Sequence, residues 1–218
     1  RFGMSATMPR DKMAKLNLVS CLGGVISDVD VQGLVEDGFL TPPVVTFVNL
    51  PEYTDHSLLD STYVDIYDSH IINNVTRNGK IKKICSNVKV GKILILVKNL
   101  KHLEILRGLI PEALTLEGKD DITTRKNTIE TFKSAKHSVL IGTKILQTGI
   151  DIPEITHLIN ARGLKSEIAT LQALGRALRI HESKTQVNIY DFNDTVPYLK
   201  EHAASRRRAY KSLKIKVL

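Results

Sequence analysis

The 218-residue sequence predicts an α/β fold in which helices cover both faces of a parallel sheet. Three observations support this prediction. Continuous aliphatic runs such as Ile93–Val97 have the pattern of strands that are buried on both faces. From residue 90 onward these runs alternate with segments whose apolar residues recur at helical spacing, which is typical of βαβ units. The composition, 42% hydrophobic and 25% charged, is that of a globular chain.

The predicted elements follow one another along the chain with short connections. Residues 10–22 have a helical pattern, and Thr41-Pro42-Pro43 interrupts the chain before a strand at Val44–Val48. Recurring isoleucines and leucines predict a helical segment over residues 57–85. The remaining predicted strands are 93–97, 114–116, 138–142, 156–160 and 187–192. The remaining predicted helices are 99–110, 122–134, 166–179 and 195–212. If the chain has a domain boundary, Gly23–Pro43 is its most favourable position.

Several protein classes are disfavoured by the sequence. Cys21 and Cys85 are far apart and form no CxxC pattern, which argues against a disulfide scaffold and a zinc ribbon. No run approaches the ~20 apolar residues that a membrane span needs, and the first residues lack the apolar core of a signal peptide. We expect an intracellular protein with no membrane association, in the host cytoplasm if it is viral. Because the chain does not begin with Met, we also expect that it starts inside a longer gene product.

The net charge of +8 is concentrated near the C-terminus. Residues 200–218 contain seven basic residues and one acidic residue, among them Arg206, Arg207 and Lys211. Such a cationic segment is typical of a polyanion binder, although a solvated helix face would have the same composition. Aromatic residues make up only 5% of the chain and Trp is absent, which favours phosphate contacts over base stacking.

One candidate for phosphate chemistry is the segment Gln172–Arg179, which has the pattern QxxGRxxR. Arg176 and Arg179 are three residues apart on a predicted helix and therefore share one face. Two guanidinium groups in this arrangement can reach a terminal phosphate and stabilise the charge that develops during phosphoryl transfer. Taken alone, the same pattern also fits an amphipathic helix with two solvated arginines.

A second candidate extends from Thr143 to Pro153 and contains Gly149-Ile150-Asp151-Ile152-Pro153. A predicted strand ends at Thr143, and ligands bind beyond the carboxyl ends of parallel strands. We therefore expect Asp151 at the carboxyl edge of the sheet, where its carboxylate can accept a hydrogen bond from a ribose hydroxyl. Thr143 can bind a phosphate with its hydroxyl and backbone N–H, or simply cap a helix. The tripeptide Ser5-Ala6-Thr7 is uninformative by itself.

Together, these three segments resemble motifs III, V and VI of superfamily 2 helicases in order and spacing. Ile95–Asn99 and Leu116-Glu117-Gly118 with Arg125 resemble motif IV and the motif that follows it. The C-terminal part resembles the branch that contains phage branch-migration, XPB-like and RecG-like helicases. That similarity depends on Lys184, Asp191-Phe192, His202, Arg206 and Tyr210. The resemblance covers essentially the whole chain.

The resemblance implies a domain organisation and a role for each matching residue. Residues 44–218 would be the second RecA-like domain, with a basic C-terminal helix. Residues 1–22 would be the end of the first RecA-like domain, and residues 23–43 the connection. Arg176 and Arg179 would be arginine fingers supported by Gln172, while Gly149 and Asp151 would line the nucleotide. The other implied roles are nucleic-acid binding by Lys98, Gly118, Thr143, Arg206, Arg207 and Lys211, and coupling of hydrolysis to domain closure by Ser5 and Thr7.

The resemblance also implies partners that this chain does not contain. A motor of this family needs a GxxxxGK[ST] loop and a DExx box, and the sequence has neither. We therefore expect ATP and Mg²⁺ to be held mainly by an N-terminal RecA-like domain, with no metal site in this chain and no ATPase activity by the chain alone. The expected substrate is nucleic acid, branched or duplex DNA by analogy with the family. Two alternatives remain open: a non-catalytic nucleic-acid-binding or regulatory module that keeps the motor fold, and the motor of a restriction or remodelling complex.

Overall fold

A computed structural model describes residues 3, 11–53, 61–143 and 151–218. Within them lies a seven-stranded parallel sheet with the strand order β3-β4-β2-β5-β6-β1-β7. The strands are β1 (Pro43–Asn49), β2 (Gly91–Leu96), β3 (Leu114–Leu116), β4 (His137–Gly142), β5 (Ile155–Asn160), β6 (Val187–Asn193) and β7 (Lys216–Val217). The helices are α1 (Lys12–Leu22), α2 (Val31–Glu36), α3 (Tyr63–Tyr67), α4 (Val75–Asn87), α5 (Leu100–Leu109), α6 (Ile122–Ser134), α7 (Glu167–Ala177) and α8 (Leu199–Ser212). The α/β prediction is confirmed.

Helices cover both faces of the central strands, which explains the aliphatic runs in the sequence. Successive side chains of a strand point to opposite faces. On one face, Ile93 and Ile95 of β2 belong to the same buried cluster as residues of α4 and α5. On the other face, Leu94 and Leu96 belong to a cluster with residues of α6, α7 and α8. A strand that is buried on both faces has apolar residues at successive positions, without the alternation of apolar and polar residues seen in half-exposed strands.

The segment 57–85, predicted to be helical, is helical over most of its described part but is divided into separate elements. The chain forms α3, then a π-helical turn over Asp68–Ile72, and then the separate helix α4. The break lies at Asn73 and Asn74, where the Asn74 side chain accepts a hydrogen bond from the Arg77 backbone N–H at 2.9 Å and caps α4. The short elements α2 and β7 were also not predicted.

A buried ion network attaches α8 to the sheet. The Arg206 guanidinium is fully buried, and its Nε donates to both carboxylate oxygens of Asp191 at 2.9 and 3.1 Å. Its Nη2 donates to Asp194 at 3.2 Å, and Asp194 also pairs with buried Arg77. The Tyr210 hydroxyl donates to Asp191 at 3.0 Å. Burial therefore corrects the prediction that Arg206 binds nucleic acid, because its donors are directed at carboxylates inside the protein.

Buried His102 on α5 makes stability depend on pH. Its Nε2 lies 2.9 Å from Oδ1 of Asn78, and burial, aided by the Arg77 cation, lowers its pKa from 6.5 to about 3. Below pH 6.5 the unfolded chain binds a proton that the folded chain does not, so stability falls as the pH falls from 6.5 towards 3. We expect the imidazole to lower the free energy of unfolding by about 2 kcal/mol between pH 7 and pH 5.

Urea unfolding at pH 7 and pH 5 measures this effect for the wild-type chain and for His102→Gln. The quantity compared is the difference between the two pH values within each protein, because the substitution also changes stability at neutral pH. The variant should show a smaller decrease by about 2 kcal/mol. An equal decrease in both proteins would show that His102 is not responsible.

Candidate nucleotide and nucleic-acid interface

Strand direction divides the predicted site residues between two opposite edges of the sheet. Lys98, Gly118 and Thr143 follow the last residues of β2, β3 and β4 and therefore lie at the carboxyl edge. Asp151 lies four residues before the start of β5, at the amino edge. Strands of six residues separate the two edges by roughly 20 Å.

The expectation that Asp151 lies at the carboxyl edge is therefore wrong. All paired strands of the described sheet are parallel, so each begins at the same edge, and a residue just before β5 lies with the other strand starts. Helix α7 follows β5 and returns to the amino edge before β6 begins, which brings Arg179 beside Asp151.

At the amino edge, Arg179 forms an ion pair with Asp151 through its Nη1. Both side chains are accessible, with 47% of the arginine and 57% of the aspartate exposed. Gln172 and Arg176 lie on α7 one helical turn apart, Gln172 exposed and Arg176 half-buried. Helix α7 buries a different face against the sheet, composed of Thr170, Ala173, Leu174 and Ala177. The predicted nucleotide-binding residues on α7 therefore lie on its outward side.

Buried Lys184, for which the sequence predicts no specific contact, holds the end of α7 in place. The ammonium group of buried Lys184 donates to the carbonyls of Ala177 at 2.7 Å and of Ile155 at 3.2 Å. These bonds tie the last turn of α7 to the first residue of β5, and burial lowers the pKa of Lys184 to about 8. On the other side, the Thr41 hydroxyl donates to the Arg179 carbonyl at 3.3 Å. The backbone of Arg179 is thus fixed while its side chain stays accessible.

At the carboxyl edge, Lys98, Thr143 and Gly118 follow three strands that are neighbours in the order β2, β4 and β3. Lys98 is exposed, and its ammonium group lies 4.5 Å from the ring centre of Tyr67. Gly118 is exposed, and no atom lies within 4 Å of the position that a Cβ would take. Thr143 is half-buried. This edge therefore presents a cation, an accessible backbone and a hydroxyl in one row.

The C-terminal basic residues do not form one continuous surface. Arg206 is buried, whereas the Arg207 guanidinium is half-buried over the Phe47 ring at 3.9 Å from its centre. Lys211 is exposed near the end of α8, which approaches the amino edge where β7 begins beside β1. The structure therefore does not bring Arg207 and Lys211 together with Lys98. The predicted residues Ser5, Thr7 and Gly149 lie outside the described residues.

Part of the sequence matches a known protein family. Residues 77–181 match the model of the helicase conserved C-terminal domain. The ATP-dependent DNA helicase UvsW of Enterobacteria phage T4 is 25% identical over 220 residues, which cover 96% of this chain. Residues 77–181 therefore form a helicase C-terminal domain, and the chain as a whole is similar to superfamily 2 helicases. The match to UvsW spans only 43% of the length of that protein.

Solved structures share the fold of this helicase domain. The crystal structure of T4 UvsW matches with a TM-score of 0.66 and 24% identity, over 81% of this chain and 40% of that one. A fragment of an HsdR subunit of a type I restriction enzyme from Vibrio vulnificus YJ016 matches with a TM-score of 0.68 and 18% identity. That match covers 91% of this chain and 42% of the fragment. Within the described ranges, no helix of this domain is both long and apolar enough to cross a bilayer.

Proposed function

We propose that this chain is the C-terminal half of an ATP-dependent DNA helicase or translocase. In this role it supplies arginine fingers to a nucleotide and phosphate contacts to a nucleic-acid strand. The observation that carries the proposal is the accessible Arg179–Asp151 pair at the rigid end of α7. An exposed ion pair stabilises a fold by only about 0–1 kcal/mol, so Arg179 can leave Asp151 for another anion at little cost.

The residues present fit one side of a nucleotide site. ATP, when bound, supplies the phosphoryl group whose transfer to water drives the motor. Arg176 and Arg179 provide positive charge for its phosphates, and Asp151, once released from Arg179, provides a hydrogen-bond acceptor for a ribose hydroxyl. Among the described residues no group of three His, Cys, Asp or Glu side chains is placed to hold a metal ion. Because the sequence has neither a GxxxxGK[ST] loop nor a DExx box, we assign Mg²⁺ and most of the triphosphate contacts to an N-terminal half.

The surface of α1 supports an N-terminal partner domain. Met13, Leu16, Val19 and Leu22 recur every three residues along this helix, and all four side chains are exposed. Within the described residues, α1 has no buried side chain. Exposed large apolar side chains that are clustered in this way normally mark a surface that contacts a partner. We therefore assign α1 to the first RecA-like domain and residues 23–43 to the connection, with Ser5 and Thr7 coupling hydrolysis to closure.

The carboxyl edge supports binding of a nucleic-acid backbone. Neighbouring strands lie about 5 Å apart, so the groups following β3, β4 and β2 form a row roughly 10 Å long. An ammonium from Lys98, a hydroxyl from Thr143 and a backbone N–H from Gly118 are all phosphate ligands and read no base. The preference for DNA follows the likeness to UvsW.

Salt-dependent binding tests this assignment. Replacement of Lys98 by alanine removes one phosphate contact, so the slope of log affinity against log salt should become shallower by about 0.7 for a single strand. The measurement is fluorescence anisotropy of a labelled oligonucleotide between 50 and 200 mM salt. Lys89→Ala is a matched control, because exposed Lys89 lies just before β2, at the opposite edge of the sheet. An unchanged slope for Lys98→Ala would remove Lys98 from the interface.

A further inference from the structure

Four aromatic rings from two distant parts of the chain meet at the carboxyl edge. Tyr63 lies at their centre, with its ring centre 5.9 Å from that of Tyr67, 6.4 Å from Tyr198 and 5.5 Å from His202. Three of the six tyrosines of the chain therefore belong to one cluster. The low aromatic content favoured phosphate contacts alone, but it does not show how the few aromatic residues are placed.

Two hydrogen bonds fix this aromatic cluster to the chain just beyond β5. The Tyr67 hydroxyl donates to the Arg162 carbonyl at 2.6 Å, and His202 Nδ1 donates to the Gly163 carbonyl at 3.1 Å. Tyr67 is buried, whereas the outermost ring, Tyr198, is 52% exposed. The rings of Tyr63 and His202 are half-buried. The cluster is thus a supported aromatic surface in which Tyr198 is the most accessible ring.

The backbone at Tyr198 is strained. Its φ of 61° lies in the region that residues with a Cβ rarely adopt. Its ψ is −50°, and the Leu199 N–H donates to the Pro197 carbonyl at 2.7 Å, which closes a tight γ-turn. γ-Turns with positive φ are rare and strained, and strained residues are concentrated at ligand-binding sites. Glycine would adopt this backbone conformation without strain. The presence of a half-exposed tyrosine therefore points to a function of its side chain.

A cation lies beside these rings. The ammonium group of Lys98 is 4.5 Å from the ring centre of Tyr67 and 5.6 Å from that of Tyr63, while the side chain remains exposed. An aromatic platform next to a positive charge is the combination that binds single-stranded nucleic acid, because the ring stacks on a base while the cation neutralises a phosphate.

We propose that Tyr198 is a stacking platform for an unpaired base of the strand whose backbone contacts Lys98. This inference rests on the proposed function, since it assumes that the carboxyl edge binds nucleic acid. Bases in a duplex are already stacked on each other, so the platform favours a single strand or a frayed end over paired DNA.

The test compares Tyr198→Leu with the wild-type 218-residue chain. Leucine keeps the Cβ and therefore the backbone strain, but it removes the ring. The affinity for a single-stranded oligonucleotide, measured by anisotropy, should fall about 5- to 150-fold. Tyr198→Phe should bind like the wild-type chain, and the affinity for a duplex should not change. Phe39→Leu removes another exposed aromatic ring that precedes β1 and lies at the amino edge, and it should have no effect.

A second measurement changes the oligonucleotide and keeps the wild-type chain, so it does not depend on the folding of a variant. An oligonucleotide whose bases are replaced by abasic sites should bind the wild-type chain more weakly than the intact strand does. With this abasic strand, Tyr198→Leu should cause no further loss of affinity. If Tyr198→Leu binds the intact strand as tightly as wild type while Lys98→Ala still changes the salt slope, the stacking proposal is overturned and the phosphate interface stands. If the wild-type chain binds no oligonucleotide at 50 mM salt, the proposed interface itself fails.

Discussion

Replacing Arg179 by alanine in the complete motor is expected to lower ATP hydrolysis by about 10³- to 10⁵-fold. This corresponds to roughly 4–7 kcal/mol of the activation barrier. The Arg179 guanidinium is accessible, and it has to break only its ion pair with Asp151 to bind another anion. The alanine substitution therefore removes positive charge from the place where negative charge develops on the phosphoryl group. Arg176→Ala should act in the same direction. The measurement is steady-state ATPase activity with saturating nucleic acid.

The two edges of the sheet make this prediction specific. Arg179 lies at the amino edge, roughly 20 Å from the row containing Lys98, so nucleic-acid affinity should be unchanged in Arg179→Ala. Arg107→Ala is a matched control, because Arg107 is equally accessible but lies on α5 and makes only a 3.8 Å ion pair with Glu104. Normal turnover by Arg179→Ala would disprove the arginine-finger assignment.

The ATPase assay also separates the motor from a non-catalytic binding module. A binding module that only keeps the fold would leave even the longer protein without nucleic-acid-stimulated hydrolysis. The 218-residue chain alone should show no hydrolysis in either case, because the sequence has no GxxxxGK[ST] loop. Turnover by this chain alone would contradict that expectation.

Local sequence signals predicted much of the fold. The observed bounds of β3 and α6 coincide with the prediction, and α6 begins directly after Asp121, whose side chain accepts a hydrogen bond from the Thr124 N–H at 2.7 Å. The division of residues 57–85 was missed because apolar residues keep their spacing across Asn73 and Asn74. In that stretch the helical periodicity predicts a continuous helix, whereas the two asparagines favour a helix end. The structure follows the asparagines, and a new helix begins after Asn74.

The candidate site was predicted less completely because its arrangement depends on distant contacts. The segment Thr143–Pro153 begins at the end of one strand and ends just before the next, β5, so its two ends lie at opposite edges of the sheet. The rule for the carboxyl edge holds only for the first of these ends, which is why it gives the wrong edge for Asp151. The aromatic cluster joins Tyr63 to Tyr198, and no local pattern links them. The burial of Arg206 did have a signal: Leu199, Ala203, Arg206 and Tyr210 recur at three and four residues and share one helix face. Counting charges along the segment ignored that periodicity.

Replacing Arg206 by alanine is expected to destabilise the domain by about 3–5 kcal/mol, because it leaves buried carboxylates without their cation. Asp191 would keep neutral donors such as Tyr210, while Asp194 would keep only Arg77 among the cations of this network. Urea unfolding at pH 7 measures the loss. Arg208→Ala, two residues further along α8 with an exposed side chain, should change stability by no more than about 0.5 kcal/mol. The contrary result would be that Arg206→Ala has the same free energy of unfolding as Arg208→Ala and binds the oligonucleotide more weakly. Arg206 would then be a surface contact, and the buried network would not hold α8 on the sheet.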